Sequence, residues 1–175
     1  GEMVERELLA LAETHPVPSA RRQLWRALYS VAESESVVSE IYSVWERGDH
    51  PLLSVDDYMS MAYELAIRYP ERYDYIVEHQ RERIADADRR SRFDYIVRGA
   101  TSDAEALDAL FEALLEPENR RTEPWAKATL ALINHPLRGE GSVKYIRPAL
   151  EELREVQRTG DIFFPRNWVG AALSS

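Results

Sequence analysis

The chain contains no cysteine in its 175 residues, which excludes disulfides, thiolate metal ligands and cysteine nucleophiles within it and leaves the redox compartment open. No apolar run approaches the roughly 18 residues that a membrane span needs, and the start of the chain lacks the basic-then-apolar layout of a signal peptide. Positive charge is in deficit: 22 Lys and Arg against 31 Asp and Glu give a formal net charge of −9 and a pI near 5.0. That balance argues against a nucleic-acid partner, because such affinity rests on neutralising phosphates with basic side chains. Asn-Gly and Asp-Gly turns flanked by alternating apolar runs are also missing, so no paired strands are expected.

What is present is 45% hydrophobic and 30% charged, apolar material for one globular domain over residues 1–175, and its spacing is helical almost throughout. Val4, Leu8 and Leu11 form a stripe that stops at His15-Pro16, since residues before Pro avoid the helical region. Ser19 is placed to cap a second helix with Leu24, Trp25, Leu28 and Val31 inside, and Ser34 or Ser36 a third with Val37, Ile41, Val44 and Trp45 inside, ended by Gly48. Ser54-x-x-Asp57 and Ser102-x-x-Glu105 have the form of capping boxes. The first precedes Tyr58, Met61, Ala62 and Leu65; the second precedes Leu107, Leu110, Phe111 and Leu114.

Pro70 and Pro124 suit first turns of helices. Phe93, Ile96 and Val97 mark a short helix before Gly99, and Val143–Arg158 reads as one helix with Ile146, Leu150, Leu153 and Val156 inside. The pass predicts roughly nine helices joined by short loops. Successive antiparallel helix pairs of this kind stack as an all-α, HEAT-like superhelix, a right-handed solenoid. Trp168–Leu173 opens a further apolar segment that Ser174-Ser175 cut off, so a solenoid truncated at its C-terminal end is expected, with Trp168, Val169 and Leu173 exposed. Phe163-Phe164-Pro165 reads as a buried turn before that segment.

Concentrated chemistry is scarce. His15, His50 and His135 each precede Pro, His79 stands alone, and no H-E-x-x-H occurs, so the histidines read as loop or cap residues and no metal site is expected in these residues. Carboxylate pairs such as Asp56-Asp57 and Glu151-Glu152 fall where helix dipoles and solvation favour them. The aromatics fall at helical spacings and read as core.

Arginine is dense between Arg81 and Arg98. One reading is salt bridging with Glu78, Glu82, Asp86, Asp88 and Asp94. The other is a set of guanidinium forks suited to a peptide carboxylate, with Arg89, Arg92 and Arg121 as the peptide-binding candidates and Arg120 as a possible addition.

Three blocks carry a resemblance: Asp88-Arg89-Arg90-Ser91-Arg92-Phe93-Asp94-Tyr95-Ile96; Pro117-Glu118-Asn119-Arg120-Arg121-Thr122-Glu123-Pro124-Trp125, running on to Asn134-His135-Pro136-Leu137-Arg138; and Lys144 through Trp168. In order and spacing they resemble the C-terminal helical region of bacterial zinc aminopeptidases of the aminopeptidase N family, which are gluzincin metallopeptidases. The resemblance implies an accessory lid domain with no catalytic centre of its own. Its zinc and its H-E-x-x-H and G-x-M-E-N motifs would belong to an upstream catalytic domain of the same polypeptide. Its partners would be that domain and the peptide substrate, with no membrane span, in bacterial cytoplasm or periplasm. A free-standing helical-repeat adaptor that binds another protein is the alternative, and an enzyme of another type using Asp/Glu and Arg is a third possibility.

Overall fold

The expected apolar stripes fold as helices. The computed structural model describes residues 1–161 and 164–174, the side chain of Glu140 excepted, and these residues form eleven α-helices and four 3-10 segments with no strand among them. They fall into two compact units, residues 1–84 and 85–175.

The first unit holds α1 (Glu2–Thr14), α2 (Pro18–Val31), α3 (Glu35–Arg47), α4 (Val55–Arg68), a 3-10 turn over Pro70–Arg72, and α5 (Tyr73–Glu82). Trp25, Leu28, Val37, Ile41, Trp45, Met61, Leu65 and Ile76 fill its interior. Its most elaborate joint lies at the end of α3. Gly48 closes that helix in the left-handed conformation at φ 64°, where a side chain would be strained. A Cβ there would also lie 2.3 Å from Arg83 Nη1.

Arg83 uses that opening to donate to the Trp45 carbonyl at 2.6 Å and to Gln80 Oε1 at 2.6 Å. Its guanidinium stacks over the Trp45 and Tyr58 rings, and Trp45 Nε1 donates to the same Gln80 oxygen. Burial lowers the pKa of Arg83 from its ordinary value.

α1 is attached differently. Of its residues only Ala12 is buried; of the stripe, Val4 and Leu11 are exposed and Leu8 is half-buried. It packs along α2, and carboxylates tie it to α3: Glu5 accepts from the Ser34 hydroxyl, from Ser34 N at 2.9 Å and from Glu33 N at 3.1 Å, and Glu2 accepts from Ser36 Oγ. Ser34 is the N-cap of α3 but makes no cap bond with its own side chain, so Glu5 supplies from another helix the acceptor that the α3 N-terminus needs.

Burial works against the charge on Glu5, but the Ser34 hydroxyl and the Glu33 and Ser34 amides outweigh it, and the pKa is lowered from 4.5. A depressed carboxylate stabilises the fold above its unfolded pKa and loses that contribution as pH falls through the folded value. Glu5→Gln is therefore expected to cost about 1 kcal/mol at neutral pH, as lost caps do, and nothing once the wild-type carboxyl is protonated. Hydrogen exchange at the amides of residues 33–36 checks this, and wild-type protection in the variant at pH 7 would refute it.

The second unit holds α6 (Ala87–Val97), a 3-10 turn over Arg98–Ala100, α7 (Ala104–Leu115), a 3-10 turn over Pro117–Arg120, α8 (Glu123–Ile133), a 3-10 run over Pro136–Tyr145 kinked at Gly139, α9 (Ile146–Glu151), α10 (Leu153–Thr159) and α11 (Phe164–Ala172). α8 packs against α6, α7 and α11. Leu107, Leu110, Phe111 and Leu114 from α7 meet Leu130, Ile133, Val156, Phe164 and Trp168 in one core. Gly99 lets the turn after α6 close on α8, since a Cβ there would sit 2.8 Å from the Thr129 carbonyl oxygen.

Several local expectations shift. The Ser54–Asp57 capping box is present in both directions, but α7 is capped by Asp103, which accepts from the Glu105 and Ala106 amides, and not by Ser102. Ser19 lies inside α2, whose cap is Val17 ahead of Pro18. Val31 is exposed. The single helix expected over Val143–Arg158 divides at Glu152 into α9 and α10, and its first residues stay in 3-10 form. Pro148 lies there and has no N–H with which to extend an α-helical ladder upstream.

The expected exposure of Trp168 is overturned: its ring is fully buried and its Nε1 donates to the Ala149 carbonyl at 2.7 Å. Ala171 and Ala172 are buried with it and Leu173 is exposed. Phe164 is buried at the start of α11, whereas Phe163 lies outside the described residues.

Candidate functional site

The arginine run is divided by its structural setting. Arg83 belongs to the interior joint of the first unit described above. Arg89 and Arg92 stand one turn apart on α6, Arg89 exposed and Arg92 half-buried, and the Arg89 amide donates to the cap residue Asp86. Arg98 folds back on its own helix, donating to the Tyr95 carbonyl and stacking over the Tyr95 ring. Arg121, 3.9 Å from Glu118 and 79% exposed, lies between the 3-10 turn and α8.

Arg120, a possible addition to the peptide-binding set, is instead an interior residue, 3% exposed. Its Nη1 donates to the Leu114 and Leu115 carbonyls at 2.9 and 2.7 Å, both nitrogens reach Glu152 at 3.5 Å, and the guanidinium lies over the Trp168 ring. It caps the end of α7, satisfying carbonyls the helix leaves open.

The three His-Pro histidines act as turn acceptors. In each His-Pro pair the Nδ1 atom accepts the amide two residues on: Val17 for His15 at 3.1 Å, Leu52 for His50 at 3.2 Å and Leu137 for His135 at 3.2 Å. An accepting Nδ1 carries no proton. His50 Nε2 is then placed to bond Glu13 at 3.0 Å, and His79 bonds the Glu46 carbonyl and stacks on Tyr75. Among the described residues no three His, Asp or Glu side chains are grouped to hold a metal ion.

An open groove of about 290 Å³ lies on the second unit, lined by Asp108, Phe111 and Glu112 of α7 and by Lys144, Tyr145 and Pro148 across from them. Asp108 Oδ1 accepts from Lys144 Nζ at 2.8 Å and from the Tyr145 hydroxyl at 2.5 Å. Lys144 Nζ also lies 4.9 Å over the Tyr145 ring, and the Tyr145 and Phe111 centroids are 4.7 Å apart. The hydrogen bonds from Lys144 and Tyr145 hold the Asp108 carboxyl below the usual carboxylate range, and the bond to Asp108 raises Lys144. Burial first, and Asp108 next, raise Tyr145.

The ammonium, the phenol and the carboxylate thus form one hydrogen-bonded triad at the groove wall. Sequence reasoning did not find it: Asp108 and Glu112 at i, i+4 with Phe111 beside them were visible as one helix face, but nothing in the sequence joins them to Lys144-Tyr145.

The three blocks singled out in the sequence interlock. The Tyr95 hydroxyl donates to the Asn119 carbonyl at 2.7 Å and the Tyr95 ring packs on Trp125. Arg120 reaches Glu152 and Trp168 as above, and the Asp161 amide donates to Glu123 at 3.0 Å. No helix among the described residues is long and apolar enough to cross a membrane. Comparison of the chain with protein-family models, with curated proteins and with solved structures gives no match.

Proposed function

We propose that the chain is the C-terminal helical lid of a zinc aminopeptidase that removes N-terminal residues from peptides, with its helices arranged as a HEAT-like superhelix and its zinc and catalytic groups in an upstream domain of the same polypeptide. One observation carries the reading. The three blocks on which the resemblance rests pack on one another, through Tyr95 with Asn119 and Trp125 at a half-exposed contact and through Arg120 with Glu152 and Trp168 in the interior. Residues so engaged maintain a scaffold, as expected of a domain that shapes a cavity and moves with closure while the chemistry is performed elsewhere.

In this reading Arg89, Arg92 and Arg121 contact the carboxylate end of the peptide. A charge-assisted contact of this type contributes roughly 1.5 to 3 kcal/mol, so replacing a cavity-facing arginine by Ala in the whole enzyme lowers kcat/KM on free-acid peptides about tenfold or more. Peptides with an amidated C-terminus should be nearly unaffected. Equal losses on both forms would make the arginine structural.

The reading as a whole is tested on the native protein. Antibodies to this chain should deplete from the producing cells a chelator-sensitive aminopeptidase activity, carried on a polypeptide much larger than 20.2 kDa. The isolated chain should release nothing from an aminoacyl reporter, with or without zinc. Recovery of only a 20.2 kDa polypeptide without that activity would overturn the proposal, as would chelator-sensitive release by the isolated chain.

A further inference from the structure

We propose that the outer face of α1 docks a basic amphipathic helix of another protein, one whose apolar stripe covers Met3, Val4 and Leu11 and whose Lys or Arg reaches Glu7. The proposal goes beyond the lid reading and draws on none of the arginines which that reading uses.

The apolar surface comes first. Met3 is 77% exposed, Val4 57% and Leu11 47%, with Ala10 exposed and Leu8 half-buried on the same helix. Val17 in the turn that follows and Val31 at the end of α2 are exposed as well, so half of the ten large hydrophobics exposed among the described residues fall between residues 3 and 31. Apolar exposure so concentrated marks a surface that a partner covers. The i, i+4, i+7 spacing of Val4, Leu8 and Leu11 is that of a helix-to-helix seam.

Charge selects the occupant. The neighbours of Glu7 one turn away on the helix surface are Met3, Val4, Ala10 and Leu11, all of them apolar and exposed. The arginines of α1 and α2 are engaged elsewhere: Arg6 lies 3.8 Å from Glu40, while Arg21 donates to the Ala12 carbonyl, Arg22 to the Leu52 carbonyl and Arg26 to Asp57. Glu7 makes no hydrogen bond or ion pair among the described residues. An apolar seam that closes over this carboxylate must bring a cation to it. A second copy of the chain brings none, because Glu7 lies near the middle of α1 (Glu2–Thr14) and an antiparallel twofold pairing of that face sets the two Glu7 carboxylates against each other. An anionic lipid surface is repelled by Glu2, Glu5, Glu7 and Glu13, against which α1 carries only Arg6.

The probe is a designed Leu/Lys helix of about four turns, with leucines along one face and lysines flanking them, and the control replaces every lysine by glutamate. Titrated into the isotope-labelled chain and followed by amide chemical shifts, the lysine peptide should give saturable shifts over residues 3–14 and at Val17 and Val31, and the glutamate peptide none. Glu7→Gln should weaken binding about fivefold, the upper range of a charge pair at a surface, and Leu11→Ser about tenfold, the loss of one covered side chain. Both positions are exposed, so the rest of the spectrum should be unchanged. Glu7→Lys should reverse the preference between the two peptides. The proposal is overturned by a wild type that binds the glutamate peptide as well, by a Glu7→Lys chain that keeps the wild-type preference, by shifts confined to another face, or by no shift at all. Sedimentation showing a dimer that Leu11→Ser dissolves would assign the face to a second copy and overturn it equally.

Discussion

Trp168→Ala should remove about 4 kcal/mol from the stability of the second unit, the range for deleting a fully buried large aromatic. The indole is 0% exposed, packs edge-on against Phe164 and donates to the Ala149 carbonyl. Its truncation opens a cavity and leaves that carbonyl without its donor. The Arg120 guanidinium over the ring would lose its stacking partner as well. The two substitutions should therefore be non-additive, with a coupling of about 1 kcal/mol for a desolvated cation on an aromatic face. Arg120→Met alone should cost about 3 kcal/mol, because it leaves the last carbonyls of α7 and the Glu152 carboxylate without their donor. Urea unfolding followed by hydrogen exchange at amides of residues 104–172 gives both numbers. A loss below about 1 kcal/mol for Trp168→Ala would mean that the unit repacks around the gap.

Asp57→Ala should cost about 3 kcal/mol in the first unit, because one buried carboxylate serves several donors there. Asp57 is 3% exposed and accepts from Arg26 Nε at 2.8 Å, from the Ser54 amide at 2.9 Å and from the Ser54 hydroxyl at 3.0 Å. The Tyr29 hydroxyl adds a longer contact at 3.4 Å. It thus completes the α4 capping box and ties α4 to α2. Burial acts to raise its pKa, but Arg26 and Ser54 prevail and the value is lowered from 3.8. Tyr29, pushed up to about 12 by burial and then by the Asp57 charge, remains a hydroxyl donor across the accessible pH range.

The sign of the pH effect follows. A depressed carboxylate contributes its full stabilisation above the unfolded value and loses it as pH falls through the lower folded value. The wild type should therefore lose stability below about pH 4, and Asp57→Asn should show a flatter acid limb while being weaker at neutrality. Equal acid limbs in the two proteins would remove Asp57 from the account of acid unfolding.

The sequence was most readable where a helix keeps one side inside its own unit. Val37, Ile41, Val44 and Trp45 on α3 and Leu107, Leu110, Phe111 and Leu114 on α7 are all buried as their spacing predicts. The same spacing at Val4, Leu8 and Leu11 marks a helix correctly, yet Val4 and Leu11 are exposed and Leu8 is half-buried, because periodicity reports a face and not whether a neighbour covers it. Glu2 and Glu5 tie α1 to the start of α3, and a carboxylate reaching across 29 residues has no local signature.

Trp168 was misplaced for a related reason. Its burial depends on Arg120 and Ala149, which are 48 and 19 positions away in the numbering. The cap of α7 moved by a single residue, from Ser102 to Asp103, since both can accept the orphan amides and only the backbone path decides between them. The groove was illegible because its two walls are 36 residues apart, Asp108 to Lys144.

The three His-Pro turns have a consequence for the unfolded chain. Helices commonly end on a left-handed glycine, yet among the described residues only Gly48 and Gly139 have positive φ. At His15 and His135 the backbone leaves its helix in extended form, φ −56°, ψ 133° and φ −61°, ψ 137°, and the imidazole accepts the amide beyond the proline. A glycine stop leaves a wide range of conformations to be frozen on folding, whereas proline has already removed most of its own before folding begins. These boundaries therefore lose little chain entropy when they form. Asparagine, whose side-chain oxygen makes the same short turn, should substitute for either histidine with small loss, whereas phenylalanine, of similar bulk but without an acceptor, should not.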